Sequence, residues 1–387
     1  MANQQPDHTQ DRPAEFQEEE DYVGQDEVAE EVEGDEGGEP MSEDEDDQAG
    51  PAGGEGGQSV LVDDSVQGFF DHREDVYAVA IHPTQQHLVA SGGGDDKCYL
   101  WRLDNGEKVF DLGVHTDSVS AIGFSNDGQY VASAGLDGKV IVHNVSNGQH
   151  VVTLEGPTEI TWLEWHPRGP IVLVGSEDAT IWMWQVPSGN CMGVLTGHGE
   201  SVTCGQFTPD GKTIVSGSSD GSFAVWNPKT ATAQLRIGSE DARFHSAPIT
   251  ALADGSARLV HLGNGRILAS LDGHTDSVET IGFCNTMPWA ATGSVDGTIS
   301  IWDVTTMQIR STLRHDDAVT KVIWHETAPL LTSASTDKTV RVWDARTGEC
   351  LKVWRGHQAP IMDLAITRDG NRAVTASDDG TALVFAA

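Results

Sequence analysis

Fifteen histidines and sixty carboxylates offer material for acid–base, nucleophilic or metal chemistry, so their spacing decides what they do. The histidines keep fixed company. His72 is followed by Ser91, Asp95 and Trp101; His198 by Ser216, Asp220 and Trp226; His274 by Thr292, Asp296 and Trp302; His315 by Ser333, Asp337 and Trp343. A set that recurs at one spacing belongs to a repeat, and pairing two of its carboxylates as acid and base would be arbitrary. Gly92-Gly93-Gly94 follows a strand-like run, but no phosphate-cradling glycine loop opens a helix. No His-Glu-x-x-His pair or calcium loop is present. The five cysteines, Cys98, Cys191, Cys204, Cys284 and Cys350, are scattered without zinc spacing and read as reduced thiols. No catalysis, cofactor or metal is expected.

The elements that hold these residues repeat from residue 65 onward. One position recurs as Trp101, His143, Trp184, Trp226, Val260, Trp302, Trp343 and Phe385, at spacings of 42, 41, 42, 34, 42, 41 and 42. An earlier position reads His72, His115, Pro157, His198, His245, His274, His315 and His357. Between them the text alternates as strands do. Val119 to Phe124, Tyr130 to Ala134, Lys139 to His143 and His150 to Leu154 are four strand runs, with Asp137-Gly138 as a hairpin turn. Four short antiparallel strands per unit predict an all-β protein.

This text resembles the WD repeat, whose signature is an early Gly-His and a late Trp-Asp. Gly197-His198, Gly273-His274 and Gly356-His357 match the first; Trp302-Asp303 and Trp343-Asp344 match the second. The resemblance implies a β-propeller of eight units over residues 58–387. It also implies a structural role for the recurring set: a hydrogen-bond chain from indole through hydroxyl and imidazole to the turn carboxylate. Buried polar groups need such partners.

The last unit ends at its third strand, Thr381 to Phe385, while Ser65 to Phe70 precedes His72 as Cys350 to Arg355 precedes Gly356-His357. The N-terminal strand is therefore expected to complete the last blade and remove an open edge. The fifth unit is short. His198 to Asp220 spans 22 residues, His245 to Asp254 only 9. The loss removes the end of strand one, its turn and strand two. It reads either as a degenerate blade or, preferably, as 13 codons lost from the transcript or gene model, because a missing strand leaves ladder groups unpaired.

Residues 1–57 read as a disordered acidic tail, with 21 Asp and Glu against the single Arg12. They carry 20 of the 37 net negative charges, leaving about −17 on the remainder. Ser42 precedes Glu43-Asp44-Glu45 as in an acidic-directed kinase site. Such a charge is repelled by nucleic-acid phosphates and suits a basic protein. No run of 18 apolar residues and no signal pattern is present. The expectation is a soluble monomer without membrane contact, cytoplasmic, with the nucleus also open.

In a WD blade the stretch after the His leads from the outer strand to the innermost one. Two residues beyond the His position stand Glu74, Asp117, Glu159, Glu200, Ala247, Asp276, Asp317 and Ala359, with Asp75 and Asp316 beside two of them. A closed ring would gather these carboxylates around one axis, where they attract basic peptides. Glu74, Asp75, Asp117, Glu159, Glu200, Asp276, Asp316 and Asp317 are the expected partner-binding residues.

Non-repeat text narrows the family. Leu163-Glu-Trp-His-Pro167, Trp182 to Gly189, Gly282 to Pro288 and Asp95 to Leu103 resemble the angio-associated migratory cell protein family, departing from it at the short fifth unit. The resemblance implies a dedicated chaperone, as in fungal members, that captures basic large-subunit ribosomal protein L-ten (the universal L-sixteen family). The captured part is its N-terminal segment, and the destination is the 60S subunit. A signalling scaffold in cell migration and a ubiquitin-ligase substrate receptor are the alternative functions.

Overall fold

The computed structural model describes residues 62–237, 249–251, 256–262 and 266–386. The expected acidic tail, Ser42 and His245 lie outside the described residues. The chain divides into two units, 1–58 and 59–387, and the second is a β-propeller. All regular structure among its described residues is strand, gathered into seven four-stranded antiparallel sheets and one of three strands.

Sheet one shows the plan. Its inner strand Val76–Ile81 is followed outward by Leu88–Gly93, Lys97–Arg102 and Lys108–Val114. Second strands such as Leu88–Gly93 and Trp289–Ser294 are buried along their whole length. Neighbouring sheets cover both of their faces, so their text is small and apolar rather than alternating. Outer strands such as Glu349–Trp354 are largely exposed. Hairpin turns suit the pattern too: Gly138 sits at φ +73°, a conformation that costs a side chain about 1–2 kcal/mol.

The other inner strands are Val119–Phe124, Ile160–Trp165, Val202–Phe207, Val278–Phe283, Val319–Trp324 and Ile361–Ile366, in sheets two, three, four, six, seven and eight. Adjacent inner strands touch through sheets one to four and again from six through seven and eight back to one. The core lies between sheets. Ala132 and Val140 of sheet two pack with Val172 and Trp184 of sheet three, and Val374 and Val384 of sheet eight with Val76 and Val89 of sheet one.

Strand Gln67–Phe69 pairs antiparallel with Ala382–Ala386, Phe69 opposite Ala382, and is the fourth strand of sheet eight. Phe69 is buried and stacks on Trp101 of sheet one, ring centroids 5.3 Å apart. The short fifth unit forms the three-stranded sheet, Ile249–Ala251, Ser256–His261 and Arg266–Asp272. Ile249 pairs directly with Leu259, so the residues expected to begin an inner strand lie against the strand that bears Val260. Among the described residues nothing pairs with their other edge.

Candidate functional site

The recurring His sets fasten the loops that lead into the inner strands. In sheet one the Trp101 indole N–H donates to Ser91 Oγ at 3.2 Å. Ser91 donates to His72 Nε2 at 2.9 Å, and His72 Nδ1–H donates to Asp95 at 2.9 Å. Sheet seven repeats this with Trp343, Ser333, His315 and Asp337 at 2.8, 2.7 and 2.8 Å. Sheet four departs from the expected direct His–Asp contact, and sheet six lengthens it to 3.4 Å between His274 Nδ1 and Asp296. His198 Nδ1 meets Ser222 Oγ at 2.7 Å, with Asp220 3.9 Å away. His274 Nδ1 meets Thr298 Oγ1 at 2.9 Å, and Thr298 donates to Asp296 at 2.6 Å. A hydroxyl two residues after the turn Asp accepts from the ring and relays to the carboxylate. The indole ends remain, Trp226 to Ser216 at 2.8 Å and Trp302 to Thr292 at 2.9 Å. His115/Ser133/Asp137 and His357/Thr375/Asp379 run the same chain without an indole; His143 and Phe385 stand where the Trp would.

The titrations follow from this geometry. Burial alone would raise the turn carboxylates. Hydrogen bonds from the imidazole or its hydroxyl relay and from backbone N–H groups outweigh it, holding Asp95, Asp137 and Asp296 below the usual range and Asp220 down to about 2. Burial pushes His198 down to about 4 despite the attraction of Asp220. The His198 ring is neutral at pH 7, a donor at Nδ1 and an acceptor at Nε2.

Each turn Asp also accepts the backbone N–H of the residue after the His position. The donors are Arg73, Thr116, Thr158, Gly199, Thr275, Asp316 and Gln358, at 2.5 to 3.3 Å. A second tie closes the loop: Gly94 N–H donates to Asp75 O, Glu177 to Glu159 O and Val295 to Ser277 O, with counterparts in the other four-stranded sheets. The acidic position lies between the two ties, except in sheet three, where Glu159 O itself accepts the second. Glu74, Asp117, Glu159, Glu200, Asp276 and Asp317 are all exposed and enter successive inner strands at the same end. Each stands at the loop entrance of its inner strand, where a rim of carboxylates is expected. Asp117, Asp276 and Asp317 each accept the next residue's N–H at 2.7 to 2.8 Å, which fixes the side chain.

The two flanking acids behave differently. Asp316 is exposed but ion-paired with Arg341 at 2.8 Å, and Arg341 also holds Asp337 at 3.0 Å, so much of its charge is spent within the protein. Asp75 is half-buried beside Tyr77 and Asp378. Burial raises Asp378, and the charges of Asp75 and Asp379 raise it further. Its Oδ1 is buried without a hydrogen-bond partner. The seam between sheets eight and one therefore holds unrelieved negative charge. Next to it a cleft of about 790 Å³ is lined by Phe70, Asp71, Glu74, Asp95, Tyr99 and Lys108 among others.

Four charged side chains lie on inner strands among the described residues: Glu279 of sheet six, which is exposed and accepts from Ser277 Oγ at 2.6 Å, and Glu164, Lys321 and Asp363. Lys321 of sheet seven pairs with Asp363 of sheet eight at 3.1 Å, and Asp363 also accepts Val79 N–H of sheet one at 3.0 Å. Glu164 of sheet three interacts electrostatically with Lys321 across the axis.

Among the described residues no three His, Cys, Asp or Glu side chains are grouped to hold a metal ion, and none of the five cysteines forms a disulfide. No helix among them is long and apolar enough to cross a membrane.

Over 352 residues the chain is 35% identical to the human (Homo sapiens) angio-associated migratory cell protein, covering 84% of this chain and 80% of that one. It belongs to the angio-associated migratory cell protein family. Residues 69–387 also match the family described as Nucleolar protein 10-like, N-terminal domain. The family has a relative in the ribosome assembly protein SQT1 of Saccharomyces cerevisiae, 25% identical over 378 residues, 84% of this chain and 87% of that protein. In structure, the chain is similar to Chaetomium thermophilum Sqt1 bound to the N-terminus of the ribosomal protein L10. That likeness has a TM-score of 0.79 and 28% identity, and it covers 84% of this chain and all of that one.

Sequence reasoning missed the inner-strand charges and the relay hydroxyls. Glu164 lies inside Leu163-Glu-Trp-His-Pro167, and the signal was its charge on a strand that is otherwise apolar.

Proposed function

We propose that this chain is a non-catalytic chaperone for a basic large-subunit ribosomal protein, the counterpart of the one held by Chaetomium thermophilum Sqt1. The partner's N-terminal segment lies along the carboxylate rim, and the holder delivers it to the assembling 60S subunit. The carrying observation is the set of six exposed carboxylates, each on a loop fixed by two backbone ties at the same end of its inner strand. In this reading the eight sheets are eight blades and strand Gln67–Phe69 closes the ring, so the rim is a rigid, preformed receptor that loses little entropy on binding. A free ribosomal protein is basic and binds RNA indiscriminately; the rim substitutes for phosphate until rRNA competes the partner away. Work in the cytoplasm, as a monomer, follows from holding a newly made chain.

The test is affinity purification of the full chain from cells, followed by mass spectrometry. A large-subunit ribosomal protein of the L10 family is expected as the dominant stoichiometric partner. Recovery of ubiquitin-ligase subunits or membrane-receptor components in its place would overturn the proposal.

A further inference from the structure

Glu164 is half-buried on the inner strand of sheet three, and no hydrogen bond or ion pair engages it among the described residues. A carboxylate partly withdrawn from water and left without a partner is poorly compensated, so a cation can bind there at a gain. The strands packed against its own are Val119–Phe124, Tyr130–Gly135, Ile171–Ser176 and Val202–Phe207. They carry no charged side chain, and their titratable groups are Tyr130 and Cys204. The charged groups that face it come from across the axis. Sheet seven, which bears Lys321, is the fourth sheet from sheet three in either direction, so the two walls are opposite. Lys321 is neutralised by Asp363, which is itself held by Val79 N–H. With Glu164 ionised the three groups carry one net negative charge, and one added cation brings them to neutrality.

We propose that Glu164, backed by the Lys321–Asp363 pair, is an anchor site for a single alkyl cation of the captured segment, an ammonium or guanidinium that enters the channel from the carboxylate rim. The inference rests on the capture reading above and adds a specificity element to it. The rim attracts any basic segment, whereas the channel accepts one cation at one depth. It also gives capture a pH dependence. Burial raises the Glu164 carboxyl to about 7, Lys321 opposing, and only the ionised form balances a cation.

The experiment titrates a synthetic peptide of the L10-family N-terminal segment into wild type and Glu164→Gln between pH 6 and 8. Wild-type affinity is expected to rise about tenfold across this interval as Glu164 ionises. Glu164→Gln is expected to fold normally, to bind at least tenfold more weakly at pH 8, and to show a flat profile. N-acetylated peptide and peptides with single Lys or Arg residues replaced by Gln identify the source of the cation: the change that wild type feels and Glu164→Gln does not is the anchor. If Glu164→Gln matches wild type in affinity and pH profile while rim reversals abolish binding, the channel anchor is wrong and capture by the rim stands. If wild type does not bind the peptide, the capture reading falls and the anchor with it.

Discussion

At the residue scale, His198 and His143 are buried neutral bases, and that makes the fold acid-sensitive. Burial pushes both His198 and His143 down to about 4 from the ordinary 6.5; at His143 the neighbouring His150 and His115 add to it. An unfolded chain takes up the protons these rings refuse. Their contribution to stability is therefore whole above pH 6.5 and is lost as pH falls from 6.5 toward 4. For His198 the loss at pH 4 is on the order of 3 kcal/mol. Melting temperature measured from pH 7.5 to 4.5 is expected to be level above 7 and to drop steadily below 6.5. His143→Phe, which places there the residue type that sheet eight carries as Phe385, is expected to lessen that drop. A flat profile down to pH 5 would show that the rings are protonated in the fold. The His, Ser or Thr, Asp and Trp positions were legible because a repeat displays its hydrogen-bonding residues at fixed offsets. The relays through Ser222 and Thr298 were not: sheet seven carries the equivalent Thr339 and keeps the direct His315–Asp337 contact. Carboxylate placement, which tertiary packing decides, selects between them.

At the element scale, strand boundaries and turns could be read from alternation and Asp-Gly pairs, but the facing of the inner strands could not. In sheet after sheet the ladder between first and second strand shifts register near its start, between Val76 and Ala78, Ile160 and Trp162, Val319 and Lys321, and Ile361 and Asp363. A bulge reverses which face the following residues occupy. Counting by twos from the loop therefore gives no reliable side for Glu164, Lys321 and Asp363. The N-terminal strand was expected because the last unit lacked a fourth strand. Beyond its ladder with Ala382–Ala386, it is tied by Asp64 N–H to Arg355 O at 2.7 Å and by Arg355 N–H to Asp64 Oδ2 at 2.9 Å. Phe69 adds a stacked ring between sheets eight and one. Phe69→Ala is expected to destabilise the protein by about 3–5 kcal/mol in denaturant unfolding, whereas removal of residues 1–50 is expected to leave the midpoint unchanged. Equal effects of the two changes would mean that this strand does not hold the ring.

At the scale of the whole molecule, net charge and the rim act together, and they can be separated by where charge is reversed. The chain carries −37, of which 20 belong to the first 57 residues, so a basic peptide is drawn to the protein from every side. Long-range attraction of this kind speeds encounter but does not discriminate between the two ends of the inner strands. A single exposed ion pair is worth only about 0–1 kcal/mol, so the proposed capture needs several carboxylates acting on one segment. Reversing Asp117, Glu159 and Glu200 to Lys is expected to abolish binding of the basic segment while the melting temperature stays near that of wild type. Reversing Asp104, Glu326 and Glu349, which are exposed at the opposite end of the sheets, makes the same change in net charge. It is expected to slow association only slightly. Wild-type affinity is expected to fall steeply between roughly 0.05 and 0.3 M salt, as the Debye length contracts from about 14 to 6 Å. Equal losses from the two reversals would leave net charge as the sole attractor. Affinity indifferent to salt and to the rim reversals would remove the electrostatic mechanism altogether.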